Sequence, residues 1–328
     1  MMESLSEIAG RSPRPKVWVL YENPAWNPPL VRELRRVGLP VVEYFVQYGW
    51  FDPAIPPPPG IYINRMSPSS HTRGHAESVN YMHALLVYLE SHGCRIINGS
   101  QTFLLEMSKV RQLRALHECG LRTPETLAVS GVDGLLAAAA RMRYPCLTKH
   151  NQSGKGLMIH KCDNPDQLRS LVLSERFQWS PDHIVLLQEY IKPREPFITR
   201  AEIVDGEFIY AIAASTVGGF ELCPADECEN PAPTCPGETE GNSTSAMFTL
   251  RHDFSDPIIN QYIDLCRKHA IDQAGIEFIE AEDGTKYTFD INCTTNYNER
   301  VEQAHGLNGM ARLAKLVARE FAKRFGLP

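Results

Sequence analysis

The chain has 328 residues, with 33 Lys and Arg against 39 Asp and Glu, a net charge of −6 and a pI near 6.0. That length buries sizeable cores and suits about two or three lobes rather than one. The acidic balance lacks the basic face that phosphate-backbone binding needs, so nucleic acid is not an expected partner.

Residues 1–15 are polar, with Glu3 and Glu7 and no apolar h-region, and read as a flexible start rather than a secretory signal. Val17-Trp18-Val19-Leu20-Tyr21 and Val41-Val42-Glu43-Tyr44-Phe45 read as strands around the amphipathic segment Leu30 to Val37, a β-α-β start. A proline-rich connector, Pro53 to Gly60, leads to a third strand at Ile61-Tyr62-Ile63. The spacing of Val79, Met82, Leu86 and Leu89 predicts a helix over Ala76 to His92, and Ile96-Ile97 reads as a fourth strand. Together these make a small parallel α/β lobe. His71 and His75 form H-x3-H, but Gly74 interrupts the helical pattern and no carboxylate falls in the same turn, so a polar loop is expected there.

A helix pair is expected from Gln101 to Gly120. The most apolar window, Gly134 to Ala140, is far too short to span a bilayer, so no membrane is expected. Tyr144-Pro145-Cys146-Leu147-Thr148-Lys149 is a short strand ending in lysine, followed at once by Asn151-Gln152-Ser153-Gly154-Lys155-Gly156-Leu157. A glycine-rich loop after a strand offers backbone N–H groups to phosphate oxygens, although this one has neither P-loop nor GxGxxG spacing. Val185 to Ile191 runs from apolar to polar at Gln188, and Phe197 to Tyr210 is a hairpin turning at Asp205-Gly206.

Residues 223–246 form a long Pro- and Glu-rich loop without apolar period, of the kind that serves as a lid or stays disordered. Its Cys223, Cys228 and Cys235 lack a fourth ligand nearby, which argues against zinc. Nine cysteines scattered along the chain, with Cys146, Cys266 and Cys293 in apolar or mixed runs, suit reduced thiols in a cytoplasm. Gly309 to Phe325 has the spacing of a packing helix.

The densest chemistry lies at Phe289-Asp290-Ile291-Asn292-Cys293-Thr294-Thr295-Asn296. Asp290 and Asn292, two apart on a strand, point to one face. Glu277 joins them if Glu277 to Asn292 is one hairpin, turning at Ala281-Glu282-Asp283-Gly284-Thr285. Such an oxygen set suits magnesium, a hard cation.

In chain order, Ser108-Lys109, Pro145 to Lys149, Ser153-Gly154-Lys155-Gly156, Gln188-Glu189-Tyr190-Ile191, Arg200, Glu277, Asp290 and Asn292 resemble the ATP-grasp enzymes. Ile63-Asn64-Arg65, the run Tyr88 to Gly93, and Ile96-Ile97-Asn98 look most like the branch of the ribosomal-protein glutamate ligases, the RimK-like carboxylate–amine ligases. The likeness runs from about Val17 to the last helix. It implies an α/β protein with an α+β core, the nucleotide held between two α+β lobes behind a small parallel α/β domain. The corresponding divisions are 1–15, 16–100, 101–187 and 188–328.

The resemblance assigns phosphate contact to Lys109, Lys149 and the loop residues Ser153, Gly154, Lys155 and Gly156. Gln188, Glu189, Tyr190 and Ile191 become the hinge that reads adenine and ribose. Arg200 and Lys155 become the catalytic cations facing the transferred phosphoryl group. Arg65, Asn242, Asn296 and Arg300 are the candidates for substrate contact. From the residues alone, Arg200 also suits, with less weight, a cross-strand ion pair with Glu202 or a neighbour, and Lys109 an exposed helix position. Ser108 stands where the family usually has Asp. Asn296, Asn298 and Arg300 replace a small-residue, Pro-Gly turn, which disconnects the substrate from that of the glutamate ligases.

The implied activity is ATP-dependent amide formation through an acylphosphate, with ATP and two magnesium ions, or manganese, as cofactors. Its partners are a small carboxylate and an amine, or a peptide end. A small-molecule kinase and a nucleotide-binding protein without turnover stay open, as does a homo-oligomer.

Overall fold

The computed structural model describes Leu5, residues 14–154, Gly156, and residues 158–217 and 247–326. Lys155, Asn242 and the cysteines of the 223–246 loop lie outside the described residues. Three sheets carry the site.

The first sheet is parallel, with strands β1 (Lys16–Tyr21), β2 (Val41–Phe45), β3 (Gly60–Arg65) and β4 (Arg95–Ile97) in the order β2-β1-β3-β4. β3 is buried at every position, as a parallel strand covered on both faces must be. Helix α1 (Pro28–Arg36) starts on prolines, whose missing N–H groups cost nothing in a first turn, and buries Leu30, Val31 and Leu34. Helix α2 (Ser78–Ser91) covers the other face with Met82, Leu85, Leu86 and Leu89. Between β3 and α2 a short 3-10 turn, Ser70–Arg73, ends at Gly74 with φ 76°, so His71 and His75 share no helix. Because the strands are parallel, their carboxyl ends form one edge of the sheet, the usual rim of a site in such folds.

Helices α3 (Ser100–Glu106) and α4 (Lys109–Glu118) follow, with Ser108 capping α4. The second sheet contains β5 (Thr126–Val129), β6 (Cys146–His150), β7 (His160–Cys162) and β8 (Val185–Glu189) in the antiparallel order β5-β8-β6-β7. Helices α5 (Val132–Ala139) and α6 (Pro165–Val172) close a core of Leu135, Met142, Cys146, Leu168, Val185 and Leu187.

The third sheet has β9 (Phe197–Val204), β10 (Glu207–Ser215), β11 (Phe248–Leu250), β12 (Gln273–Glu280) and β13 (Lys286–Asn292) in the order β11-β10-β9-β12-β13. Asp205 and Gly206 join β9 to β10 with φ 57° and 71°, the positive pair that a tight hairpin requires. On one face lie α4 and α7 (Ile258–Lys268), with Leu116, Tyr262, Leu265, Ile276 and Phe278 between them. After the short α8 (Glu299–His305), helix α9 (Gly309–Phe325) covers the other face and packs back onto α1. Leu313 and Val317 therefore share one core with Val17, Ile61 and Ile63 of the first sheet and Ile212 of the third.

Asn98, just beyond β4, stitches these two sheets together. Its amide donates to Gln273 O (3.0 Å) and Cys293 O (2.7 Å), while its oxygen accepts Asp272 N–H at 2.7 Å. The predicted helix over Ala76 to His92 begins two residues late, at Ser78. The apolar window Gly134 to Ala140 falls largely inside α5. Among the described residues no helix is long and apolar enough to cross a membrane.

Candidate active site

The site is built on strand register. β12 pairs with β13 so that Glu277 lies opposite Asp290 and Gly275 opposite Asn292, while β9, on the other side of β12, places Arg200 opposite Glu277. Directly opposite residues share a face, so Arg200, Glu277 and Asp290 form a row across three strands. Lys109, at the first position of α4, completes it by donating to Asp290 Oδ1 at 2.7 Å.

Arg200 is 4 % exposed and uses its whole fork. Nη1 donates to Glu277 Oε1 (2.9 Å), Nε to Glu202 Oε1 (2.7 Å), and Nη2 to Thr295 Oγ1. A Cβ on Gly275 would stand 2.6 Å from the Arg200 Cζ, so the guanidinium can lie against β12 because that residue is glycine. Asn292 donates its amide to Glu277 Oε1 (3.3 Å) and Asp290 Oδ2 (3.5 Å).

Charge and burial oppose each other here. Burial pushes the Asp290 carboxyl up, but Lys109 and Lys149 outweigh it and hold it below the usual carboxylate range. Burial raises Glu277, Arg200 lowers it and the neighbouring Asp290 raises it again, with a net upward displacement. Burial pulls Lys109 down, yet Asp290 and Glu277 hold its pKa above the ordinary lysine value. Lys149 has no such carboxylate in contact. Burial first, then the charge of Lys109, bring it down to about 8. Its ammonium donates to Gln188 Oε1 at 3.2 Å and lies 4.8 Å from the centre of the Phe289 ring.

These groups open onto a cleft of about 210 Å³ between the second and third sheets. Lys109, Lys149, Ser153, Gly154, Gly156, Gln188, Glu189, Tyr190, Ile191, Arg200, Glu277, Asp290 and Asn292 all line it. Leu147, Ile159, Ile198, Ile279 and Phe289 supply its apolar walls. In the hinge segment, the amides of Glu189 and Tyr190 donate to Glu125 O (2.8 Å) and Pro145 O (3.1 Å), so neither is available to a ligand. The Gln188 side chain likewise turns inward, bridging Lys149 to Thr126.

The substrate candidates scatter. Arg65 does not line the cleft; it is buried at the end of β3, donating to Thr295 O (3.1 Å) and Asn296 Oδ1. Asn296 lines a separate cavity of about 310 Å³ between α1 and α8. Arg300 is exposed in the first turn of α8 and lines neither space, because the helix that begins seven residues after the end of β13 carries it outward.

Of three supporting residues, Gln112 and Glu106 escape sequence reading. Gln112, on the buried side of α4, imitates a neighbouring strand: Nε2 donates to Ile291 O (2.9 Å) and Oε1 accepts Ile291 N–H (3.0 Å). Buried Glu106 accepts Cys293 N–H and the Thr294 hydroxyl. Glu202 orients Arg200 from two positions along β9. A lone polar residue inside an apolar helical stripe is the signal that could have found Gln112.

The residues fit magnesium. Two carboxylates and a carboxamide lie within hydrogen-bond reach of one another, and adjacent cations favour ionised carboxylates, the form that binds metal. Among the described residues no group of three His, Cys, Asp or Glu is arranged to hold an ion, and the third oxygen donor this set offers is the Asn292 carboxamide.

Two lobes gripping one cleft, a glycine-rich loop on the first and a carboxylate row on the second, make this the ATP-grasp fold. The ligase PsnB, in its complex with minimal precursor, Mg and ADP, superposes with TM-score 0.62 at 14% identity over 98% of this chain and 99% of that one. The RimK domain ATP-grasp protein of Sphaerobacter thermophilus superposes with TM-score 0.62 at 16% identity over 92% and 99% of the two chains. In sequence, beta-citrylglutamate synthase B of Danio rerio is 22% identical over 236 residues, 71% of this chain and 53% of that protein. The chain spans about half the length of the curated relatives it matches. No known family profile matches the sequence.

Proposed function

We propose that this chain is an ATP-dependent carboxylate–amine ligase, forming an amide through an acylphosphate and releasing ADP and phosphate. The observation that carries the reading is the row Arg200–Glu277–Asp290–Lys109, buried at the cleft between the second and third sheets. The relatives support it, since those compared above include a synthase and a ligase.

Apolar walls at Leu147, Phe289 and Ile279 take the base, and Ile191 offers the hinge amide left for its edge. Lys149, Lys109 and the amides around Gly154 and Gly156 face the phosphates. Lys155 belongs to the same loop and is assigned to the transferred phosphoryl group with Arg200. Arg200 suits that group because its fork is already oriented by Glu202 and its charge is permanent. Glu277, Asp290 and Asn292 would hold magnesium, which on binding neutralises phosphate charge. No protein nucleophile is needed: positioning and preset charges can supply most of the rate in phosphoryl transfer. The carboxylate is that of an amino acid, a small molecule or a peptide, and the candidates for choosing it include Arg65 and Asn296, which lie outside the nucleotide cleft, and Asn242.

Turnover with ATP, magnesium and pooled amino acids and amines tests this, with Asp290→Ala as control. ADP and free phosphate should appear when carboxylate and amine are both present. AMP with pyrophosphate would overturn the acylphosphate route, and phosphate retained on an acceptor would make the chain a kinase.

A further inference from the structure

Resting on the ligase reading, we propose that the cavity between α1 and α8 is the pocket for a positively charged head group of the substrate, a primary ammonium on an apolar stem, which stays unreacted. The cavity holds about 310 Å³, in the range of small-molecule pockets. Glu302 lines it and is 5 % exposed. Its Oε1 accepts both the Tyr210 hydroxyl (2.8 Å) and Gly309 N–H (2.6 Å), whereas its Oε2 accepts no hydrogen bond and forms no ion pair among the described residues. Burial pushes this carboxyl up against the pull of those two donors, and the charges of Glu202 and Glu299 push it further. A cation beside Oε2 relieves all three upward pressures. The other carboxylate of the lining, Glu299, is already matched by Arg32 at 3.3 Å on the exposed rim.

Tyr297 is a second, independent mark of a ligand. It lines the same space, is buried, and its hydroxyl has no hydrogen-bond partner. A buried hydroxyl left in that condition is costly until a bound molecule completes it, and its oxygen accepts from an ammonium as a carboxylate does. Trp26, Pro28, Pro29, Leu307 and Met310 supply apolar walls, which suit the aliphatic stem that carries such a head.

Two consecutive residues join this cavity to the cleft. Asn296 lines the cavity, and Thr295 before it accepts Arg200 Nη2 on its hydroxyl, while Arg65 ties the pair by donating to Thr295 O (3.1 Å) and Asn296 Oδ1. A substrate anchored here by its head thus has the arginine assigned to the phosphoryl group one residue of chain away. An acidic head meets Glu302 as a like charge, so the pocket selects against a glutamate-like substrate.

The test titrates n-pentylamine and n-pentanol, which share a stem and differ in charge, into the full chain at neutral pH and follows the Trp26 indole N–H and the Tyr297 ring by NMR. The amine should shift both signals and bind about tenfold to a hundredfold tighter than the alcohol, the usual worth of a hydrogen bond to a charged group. Glu302→Gln keeps an oxygen for Tyr210 and Gly309 and should erase that preference. Ala25→Trp removes no side-chain hydrogen bond, fills the cavity and should block both probes. Equal binding of the two probes, binding of neither, shifts confined to other residues, or a preference that survives Glu302→Gln overturns the proposal. The turnover assay described above separates the two readings. ADP and amide formed by a protein that does not bind n-pentylamine leave the ligase standing and remove the pocket. Binding of n-pentylamine with no ADP from any carboxylate and amine removes the ligase reading, and the substrate role of the pocket with it.

Discussion

Lys149 sits in the cleft with its ammonium depressed to about 8, because burial and Lys109 both disfavour its charge. Bound phosphate supplies the missing negative charge, so the nucleotide complex holds the proton more tightly than the free protein does. Nucleotide affinity should therefore be constant below about pH 8 and fall by up to tenfold per unit above it. Calorimetric ADP binding at pH 7 and pH 9 checks this, and Lys149→Met should bind weakly with a flat profile. Without ligand the sign for folding is the reverse: the depressed pKa costs stability below about pH 8, and the cost fades as pH rises toward the ordinary lysine value. Gly275 makes a second case. Gly275→Ala should dislodge the Arg200 guanidinium and lower kcat by about 10²–10³-fold, the scale of losing one preset charge donor, with ADP affinity nearly unchanged. A variant that keeps wild-type kcat would show that Arg200 need not lie where it does.

The carboxylate hairpin is only as straight as its supports. Gln112→Leu strips the hydrogen bonds from both backbone groups of Ile291 and leaves them buried, at about 2–4 kcal/mol. Thermal unfolding should shift down by roughly 2–4 °C per kcal/mol, and magnesium-dependent turnover should weaken with it. Alternation along β13 made Asp290 and Asn292 legible as one face, and a turn ending in glycine made the hairpin legible. Gln112 was not, because a single glutamine in an amphipathic helix carries no mark of what it reaches 179 residues away. Helices α5, α6 and α7 were passed over too: α5 is alanine-rich and nearly apolar throughout, so it shows little period. Which backbone amides of the hinge face the cleft was not legible. Strand pairing uses the amides of Glu189 and Tyr190, and pairing partners 45 or more residues distant are not written in the local pattern. Arg300 lies away from both cavities for a simpler reason, since a helix starting at Glu299 turns it outward.

At the scale of the molecule, the first and third sheets share a core through α9, whereas the second closes its own around Leu135, Leu168 and Leu187. Hydrogen exchange without nucleotide should show residues 126–189 opening as a unit below the global transition, and saturating ADP with magnesium should merge the two, because the ligand touches both bodies. Uniform protection in both states would refute this division. Leu313→Ala, by contrast, should destabilise the first and third sheets together by about 2–5 kcal/mol.

The β12–β13 hairpin is anchored at its base by Asn98, Gln112 and Glu106, and at its tip by the Pro193–Ala281 bridge, by Arg194 N–H on Glu280 O (2.8 Å) and by Lys192 on Glu282 (2.5 Å). Its tip is thus fastened to the connector that joins the other lobe. In mechanical terms it is a beam clamped at both ends, with the Glu277 and Asp290 carboxylates between the clamps. A swing of the lobe that carries the glycine-rich loop would load the beam, and the beam's stiffness would return that lobe toward one resting angle.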